Sequence, residues 1–446
     1  MSSSLPVWLP WQGRQRTYGP AVPILLICFI LNLSWTCLSA STLGKREFKA
    51  LSSDAIASLV NHPDPVRNID PNNPSSHLSK VLIPRPADTE NNTLVRQYII
   101  STLKKLDWYI EEDAFNDTTP YGTKRFTNVI ATKDPTAPRR VILSAHFDSK
   151  YFSSYPENQF VGATDSAAPC AFLLDLAETL NPLLDKRKQR LEDGEEDDED
   201  VAETTLQLVF FDGEEAFKDW TNTDSIYGAR HLAQKWASTY IPPNAKRRLL
   251  LTSHATEIAT IEHLILLDLL GAPHPLIRSS FLDTAWLFDA MASAERRLVE
   301  SGALTYDGDQ ATTKDHWSSF FLPRAANEHN YGGIGDDHVP FLKLGVSVLH
   351  VISNPFPRVW HTLKDDATAL DIPTMRRWNL ILRIFMSEYL GLLPDVAHST
   401  RDAPAFQRSS AELCLVEWKC EFGNLTLVHL YHNLFYILWD VANRQT

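Results

Sequence analysis

The chain has 446 residues, 44% of them hydrophobic and 22% charged, with a net charge of −13. That balance suits a globular protein of one large α/β domain or two smaller ones. It excludes a nucleic-acid footprint, which needs clustered Lys and Arg. The acidity is local, because nine acids and no base fall between Glu192 and Glu203.

In chain order, Arg14 and Arg16 precede an apolar run from about Ala21 to Ala40, followed by small residues. Residues 1–40 therefore read as a signal peptide, or as a signal-anchor if uncleaved. Either reading places the rest in the secretory pathway, secreted or facing the endoplasmic reticulum or Golgi lumen. The membrane is met only through that anchor. Sequons at Asn91, Asn116 and Asn424 fit the same compartment. Cys28 and Cys37 lie in the leader and Cys414 and Cys420 in the tail, so Cys170 stands alone between them.

Thr89 to Trp108 has helical spacing, with Leu94, Tyr98, Ile99, Leu103 and Leu106 on one predicted face. Tyr109 to Phe115 and Thr127 to Ala131 read as strands. Val141 to Leu143 is a short buried strand. Asp165 to Leu180 reads as an apolar helix with Ser166 as a candidate cap. Residues 186–203 are a charged, low-complexity insert expected to be a disordered surface loop. Leu206 to Phe211, Leu264 to Leu267 and Val346 to Ile352 are continuous apolar runs of strand length. An amphipathic helix is expected from Met375 to Leu390. Strands alternating with helices predict a single α/β domain with a central twisted mixed β-sheet covered by helices on both faces. That domain spans 41–393, and 394–446 is a C-terminal extension.

Four of these strands lead directly into acids or histidines. Val141 to Leu143 runs into His146 and Asp148, and Leu206 to Phe211 into Asp212, Glu214 and Glu215. Leu264 to Leu267 ends at Asp268, and Val346 to Ile352 leads through a proline turn to Trp360 and His361. The carboxyl ends of strands form the binding crevice of open α/β sheets. Singly, an Asp at a helix start is a cap, paired Glu a solvated turn and a lone His a structural group. Jointly, Asp165, Glu215 and His361 make the carboxylate and imidazole set of a catalytic zinc site with an open position. Of two adjacent carboxylates, one can bind metal while the other moves a proton. Glu215 is assigned to the metal and Glu214 to the proton.

At these residues the sequence resembles the glutaminyl cyclase branch of the zinc aminopeptidase superfamily. The matching segments include SAHFDSKYF (144–152), GATDSAAPCA (162–171), LQLVFFDGEEAFKDW (206–220), DDHVPFLKLGV (336–346) and VLHVISNPFPRVWHT (348–362). The resemblance runs in order from about residue 80 to 393. It implies an enzyme that converts N-terminal glutaminyl residues of peptides and proteins to pyroglutamate with release of ammonia. The implied substrates begin with Gln, with Glu as the open alternative. One Zn²⁺ per chain is implied on Asp165, Glu215 and His361, with Glu214 as general acid/base. Asp268 and Asp336 are implied to hydrogen-bond the base and the reacting amide. Trp220, Phe356 and Trp360 would wall the glutamine side chain, with His350 and His146 hydrogen-bonding behind the site. In animal members of the family a cysteine precedes the histidine of HxDS and bonds the cysteine of ATDSAxPC. Here that position is Ala145, so Cys170 lacks its family partner.

Two rival classes carry their own discriminators. A secreted zinc metalloaminopeptidase would use His146 and Asp268 for a second zinc, with Asp165 bridging. A non-catalytic receptor ectodomain would be expected to have lost Glu214 or a ligand, and none is missing.

Overall fold

The computed structural model describes residues 48–61, 63–194, 199–242, 255–304, 317–325 and 333–394. The leader over 1–40, the extension beyond 394, and Cys28, Cys37, Cys414 and Cys420 lie outside the described residues.

Six strands form one sheet: β1 (Tyr109–Thr119), β2 (Gly122–Thr132), β3 (Arg139–His146), β4 (Thr204–Phe211), β5 (Ile261–Asp268) and β6 (Val348–Ile352). Their spatial order is β1-β2-β4-β3-β5-β6. β1 and β2 are an antiparallel hairpin, and β2 also runs antiparallel to β4. β4, β3, β5 and β6 are mutually parallel. The expected mixed sheet is therefore present, and the burial pattern explains its order. Every residue of β4, β5 and β6 is buried, as continuous apolar runs require when both faces are covered. β1 carries Glu111, Glu112, Asp113 and Asp117, and charge on an edge strand discourages pairing with a second chain.

The described helices are α1 (Ser53–Asn61), α2 (His77–Val81), α3 (Glu90–Lys104), α4 (Ala168–Glu192), α5 (Glu199–Ala202), α6 (Tyr227–Ser238), α7 (Ala285–Glu300), α8 (His338–Lys343) and α9 (Ile372–Tyr389). Alternate strand residues divide between two cores. Val141, Leu143, Leu208, Ile265 and Leu267 pack with α3, α4, α7 and α9. Ile142, Val209, Leu264 and Leu266 pack with α6 and α8.

Four local expectations change. In α3 the buried face is Val95, Ile99 and Leu103, while Leu94 is 52% exposed. The helix after Asp165 starts at Ala168, and the Ser166 hydroxyl is turned to the Asp268 carboxylate rather than to a cap position. α9 is buried all round rather than amphipathic. Its polar groups are paired inside: Arg383 with Asp175 at 2.9 Å, Arg377 with Glu295 at 2.6 Å, and Glu388 with Arg297 and the Leu51 amide. The charged insert is not a loop throughout. Lys186 to Glu192 extends α4, and the Arg187 guanidinium is buried, donating to the carbonyls of Thr204 (3.1 Å) and Val201. Arg187 thus belongs to the fold although its neighbours look solvated.

The longest apolar helical stretch among the described residues ends in α4. It meets a membrane-span criterion by length and composition, yet 94% of its apolar window is buried. It is the central helix of the larger core.

Candidate active site

The carboxyl ends of β3, β4, β5 and β6 bring the predicted residues together. His146 ends β3 and Asp268 ends β5. Asp165 lies on the connection from β3 to α4, and Glu214 and Glu215 follow β4. His361 lies past β6, at a φ of +55°.

Groups from distant segments hold these connections. The Asp148 carboxylate accepts the backbone N–H of Glu214 (3.1 Å) and of Glu215 (3.3 Å), which sets both side chains after the turn. Asp212 accepts the Thr127 amide at 2.7 Å and the Asn92 side chain at 2.9 Å. Gly213 has φ +74°, and a Cβ there would overlap the Phe126 ring, so the turn needs glycine on both counts. Asp224 accepts the amides of Phe217, Lys218 and Asp219, fixing the loop that presents Trp220. On the Asp165 side, buried Arg85 donates to the carbonyls of Phe147 (2.6 Å) and Val161, and Asp365 accepts the Thr164 amide at 2.8 Å. None of these supporting roles for Arg85, Asp148, Asp224 or Asp365 was legible in the sequence. Their signal is only a polar residue in an apolar setting, and apart from Asp224, which holds nearby amides, their partners lie far away in the chain.

Asp165, Glu215 and His361 form one compact set. His361 Nε2 is 3.3 Å from Asp165 Oδ2 and 3.2 Å from Glu215 Oε1. Both of those oxygens are buried and have no hydrogen-bond partner. Two ligands about 2.0–2.1 Å from one tetrahedral zinc stand about 3.3 Å apart, so the set fits that ion. The local charge points the same way. Burial works against a charged His361, but the facing Asp165 and Glu215 carboxylates outweigh it and raise the imidazole to about 9. The cluster is short of positive charge.

A second set, His146, Asp165 and Asp268, adjoins the first through Asp165. Its atoms are engaged with one another: His146 Nε2 donates to Asp165 Oδ1 at 3.0 Å, and Ser166 donates to Asp268. A third comprises Asp336, His338 and His350, in which His350 Nε2 meets Asp336 Oδ2 at 2.7 Å and the Asp337 amide donates to Asp336 Oδ1.

A cavity of about 510 Å³ opens over the first set. Asp165, Glu214, Glu215, Asp268 and His361 line it together with Trp220, Phe356 and Trp360. Phe356 and Trp360 meet edge to face at 5.0 Å, and Trp360 stacks on His361 at 3.8 Å. Lys150, not anticipated from the sequence, also lines it, with Nζ 3.4 Å from Glu215 Oε2. Asp336, His146 and His350 do not line this cavity. His350 borders a smaller one of about 80 Å³, on the far side of Gly333 and Ile334.

The acids differ in their surroundings. Burial, with the charges of Glu215, Asp336 and Asp337, holds Glu214 well above the usual carboxylate range, opposed by His146. Burial and Asp336 bring Asp268 to about 6. Asp336 thus bears on the cavity through charge, from behind its wall.

Comparison with known proteins agrees with this geometry. The profile of peptidase family M28 matches residues 128–386. Glutaminyl-peptide cyclotransferase of Bos taurus is 43% identical over 318 residues, covering 71% of this chain and 81% of the relative. The Drosophila melanogaster enzyme of that name is 40% identical over 314 residues, covering 70% and 79%. The crystal structure of Macrostomum lignano glutaminyl cyclase superposes with a TM-score of 0.63 at 36% identity, covering 79% of this chain and 97% of that one. On the sheet, the acid and histidine cluster and these relatives alike, the chain belongs to the glutaminyl-peptide cyclotransferases of peptidase family M28.

Proposed function

We propose that the cyclisation of N-terminal glutaminyl residues by this chain runs on Glu214 as proton carrier beside one zinc held by Asp165, Glu215 and His361. The carrying observation is that Glu214, the three ligands and the aromatic trio share the walls of one cavity. Zinc bound there supplies Lewis acidity toward the side-chain carbonyl of glutamine. Trp220, Phe356 and Trp360 hold that side chain and keep water from it. The substrate's α-amine attacks the carbonyl carbon (Cδ) of the side-chain amide within the same residue, so proximity is built in. Glu214 takes a proton from the amine and returns it to the departing ammonia. Burial and the neighbouring acids raise its affinity for a proton, which suits a group that must accept one and then pass it on. Asp268, fixed by the Ser166 hydroxyl, orients the reacting groups from the opposite wall.

The substrates in this reading are peptides beginning with Gln, with Glu-initiated peptides as the alternative. The apolar leader and the exposed Asn116 sequon support a secreted or lumen-facing enzyme.

Glu214→Gln and Glu215→Gln separate the two roles. The first should keep its zinc and lose about two to four orders of magnitude in rate on a Gln-initiated peptide followed by mass spectrometry. The second should lose the metal itself. The product mass also tests the reaction: it should show loss of ammonia, and loss of a whole residue would mean aminopeptidase action instead. Inversion of the two phenotypes would reverse the assignment within the pair.

A further inference from the structure

Only the first residue of a substrate reacts, so the chain after it must leave the catalytic cavity over its rim. Trp220 forms part of that rim and is 47% exposed. Beyond it lies a second hollow of about 530 Å³, between α6 and α8, which shares Trp220 and Gly335 with the catalytic cavity. Gly335 brings the backbone close to the Trp220 indole, 3.3 Å from where a Cβ would stand. The two spaces therefore share one aromatic wall.

The lining of the hollow has a distinct chemistry. Its α8 side offers Val339, Pro340 and Leu344, the last 45% exposed. Exposed apolar surface beside a catalytic opening is the usual mark of a binding surface. The charges reverse between the two spaces. In the catalytic cavity Asp165, Glu214, Glu215, Asp219 and Asp268 outnumber Lys150 and Lys218, which suits a substrate's terminal amine. Among the described residues no Asp or Glu lines the hollow, whereas Arg230 and Lys343 both do. Arg230 is partly compensated, with Nη2 3.6 Å from Asp117 and its guanidinium over the Tyr227 ring. Lys343 is exposed at the end of α8 and makes no ion pair among the described residues.

We infer that this hollow binds the peptide chain that follows the reacting residue, and that it favours acidic side chains there beside apolar ones. The inference rests on the cyclisation reading of the neighbouring cavity, with which the hollow shares Trp220 and Gly335. Lys343 then acts as a specificity residue, drawing the acidic side chain, and Leu344 as its apolar floor.

The test compares glutamine amide, which has no following chain, with Gln-initiated tetrapeptide amides carrying Asp or Lys at position two, three or four. Wild-type enzyme should show a lower KM for the Asp series at one or more positions. In Lys343→Glu the Asp-to-Lys preference in kcat/KM should fall or reverse by roughly three- to tenfold, the scale of losing one exposed ion pair and gaining a repulsion. The change should appear in KM, with kcat and the turnover of glutamine amide unaltered. Leu344→Ser should weaken apolar peptides without moving the charge preference. An unchanged preference at all three positions overturns the inference, as does an equal effect on glutamine amide. If a second copy of the chain covers the hollow, sedimentation would show a dimer broken by Lys343→Glu with no change in peptide preference, which also overturns it. Failure of wild-type enzyme to cyclise glutamine amide would instead indict the cyclisation reading.

Discussion

Asp165 shows how one side chain serves two neighbourhoods. Its Oδ1 accepts from His146, while its Oδ2 faces His361 with no hydrogen bond. Burying an unpaired carboxylate oxygen is costly unless a cation completes it, and the same holds for Glu215 Oε1. His338 presents the opposite problem. Burial and the nearby His350 charge push its pKa down from 6.5 to about 3, against the pull of Asp336. The unfolded chain takes up that proton near 6.5, and the folded chain does so only near 3. Between those values the unfolded state binds more protons, so stability is lost as pH falls through the window. The contribution reaches about 1.4 kcal/mol per pH unit at most. His338→Phe keeps a ring against His350 and Phe281 and should flatten that part of the curve. Urea midpoints measured from pH 7 to pH 4 check this, and an unchanged slope would show that another group titrates.

Helices here depart from sequence patterns where polar side chains find buried partners. α9 looks amphipathic because Arg376, Arg377, Arg383 and Glu388 interrupt its apolar positions. In the fold Arg383 also donates to the carbonyls of Leu59 and Pro63, and Glu388 takes the Leu51 amide, so the helix gathers the N-terminal segment. The acidic insert divides at a similar boundary. Removing Glu195 to Asp198, which lie outside the described residues, should leave activity and stability close to wild type, since shortening a connection changes loop-closure entropy little. Arg187→Ala should cost about 1–3 kcal/mol, because it leaves the Thr204 and Val201 carbonyls buried without that donor. Chemical denaturation of both variants tests the division. A destabilised deletion beside a neutral Arg187→Ala would show that the acidic stretch, and not the arginine, supports the fold.

For the molecule as a whole, the zinc set ties together segments that are remote in sequence: the β3–α4 connection, the turn after β4 and the loop after β6. Metal that binds only the folded chain stabilises it by mass action, about 2.7 kcal/mol when free metal is a hundredfold above its dissociation constant. Chelation should therefore lower the melting temperature, and added zinc should restore it. Native mass spectrometry should find one zinc per chain, and two tightly held ions would mean that His146 and Asp268 also ligate. Among the described residues Cys170 is the only cysteine. The Cys170 thiol is buried and donates to the His146 carbonyl at 3.1 Å, and burial pushes it up to about 12. The position that would have bridged it is Ala145, itself fully buried beside it in the same core.

By itself the sequence determined the mixed sheet and the residues gathered at its carboxyl ends. Apolar runs of strand length ending in acids and histidines are local signals, written in consecutive residues, and the segments 206–220 and 348–362 carried the family resemblance. Only the tertiary structure decided which oxygens lack partners, that Asp336 and His350 lie behind the cavity rather than on it, and that Arg85, Asp148 and Asp224 hold the loops. It also decided that Leu94 faces out and Arg187 in. Most of those outcomes depend on pairings between residues far apart in sequence, such as Arg85 with Val161 and Asp148 with Glu214. The charge and polarity of a side chain are the same wherever it lies, and its partner is set by the packing of the whole chain.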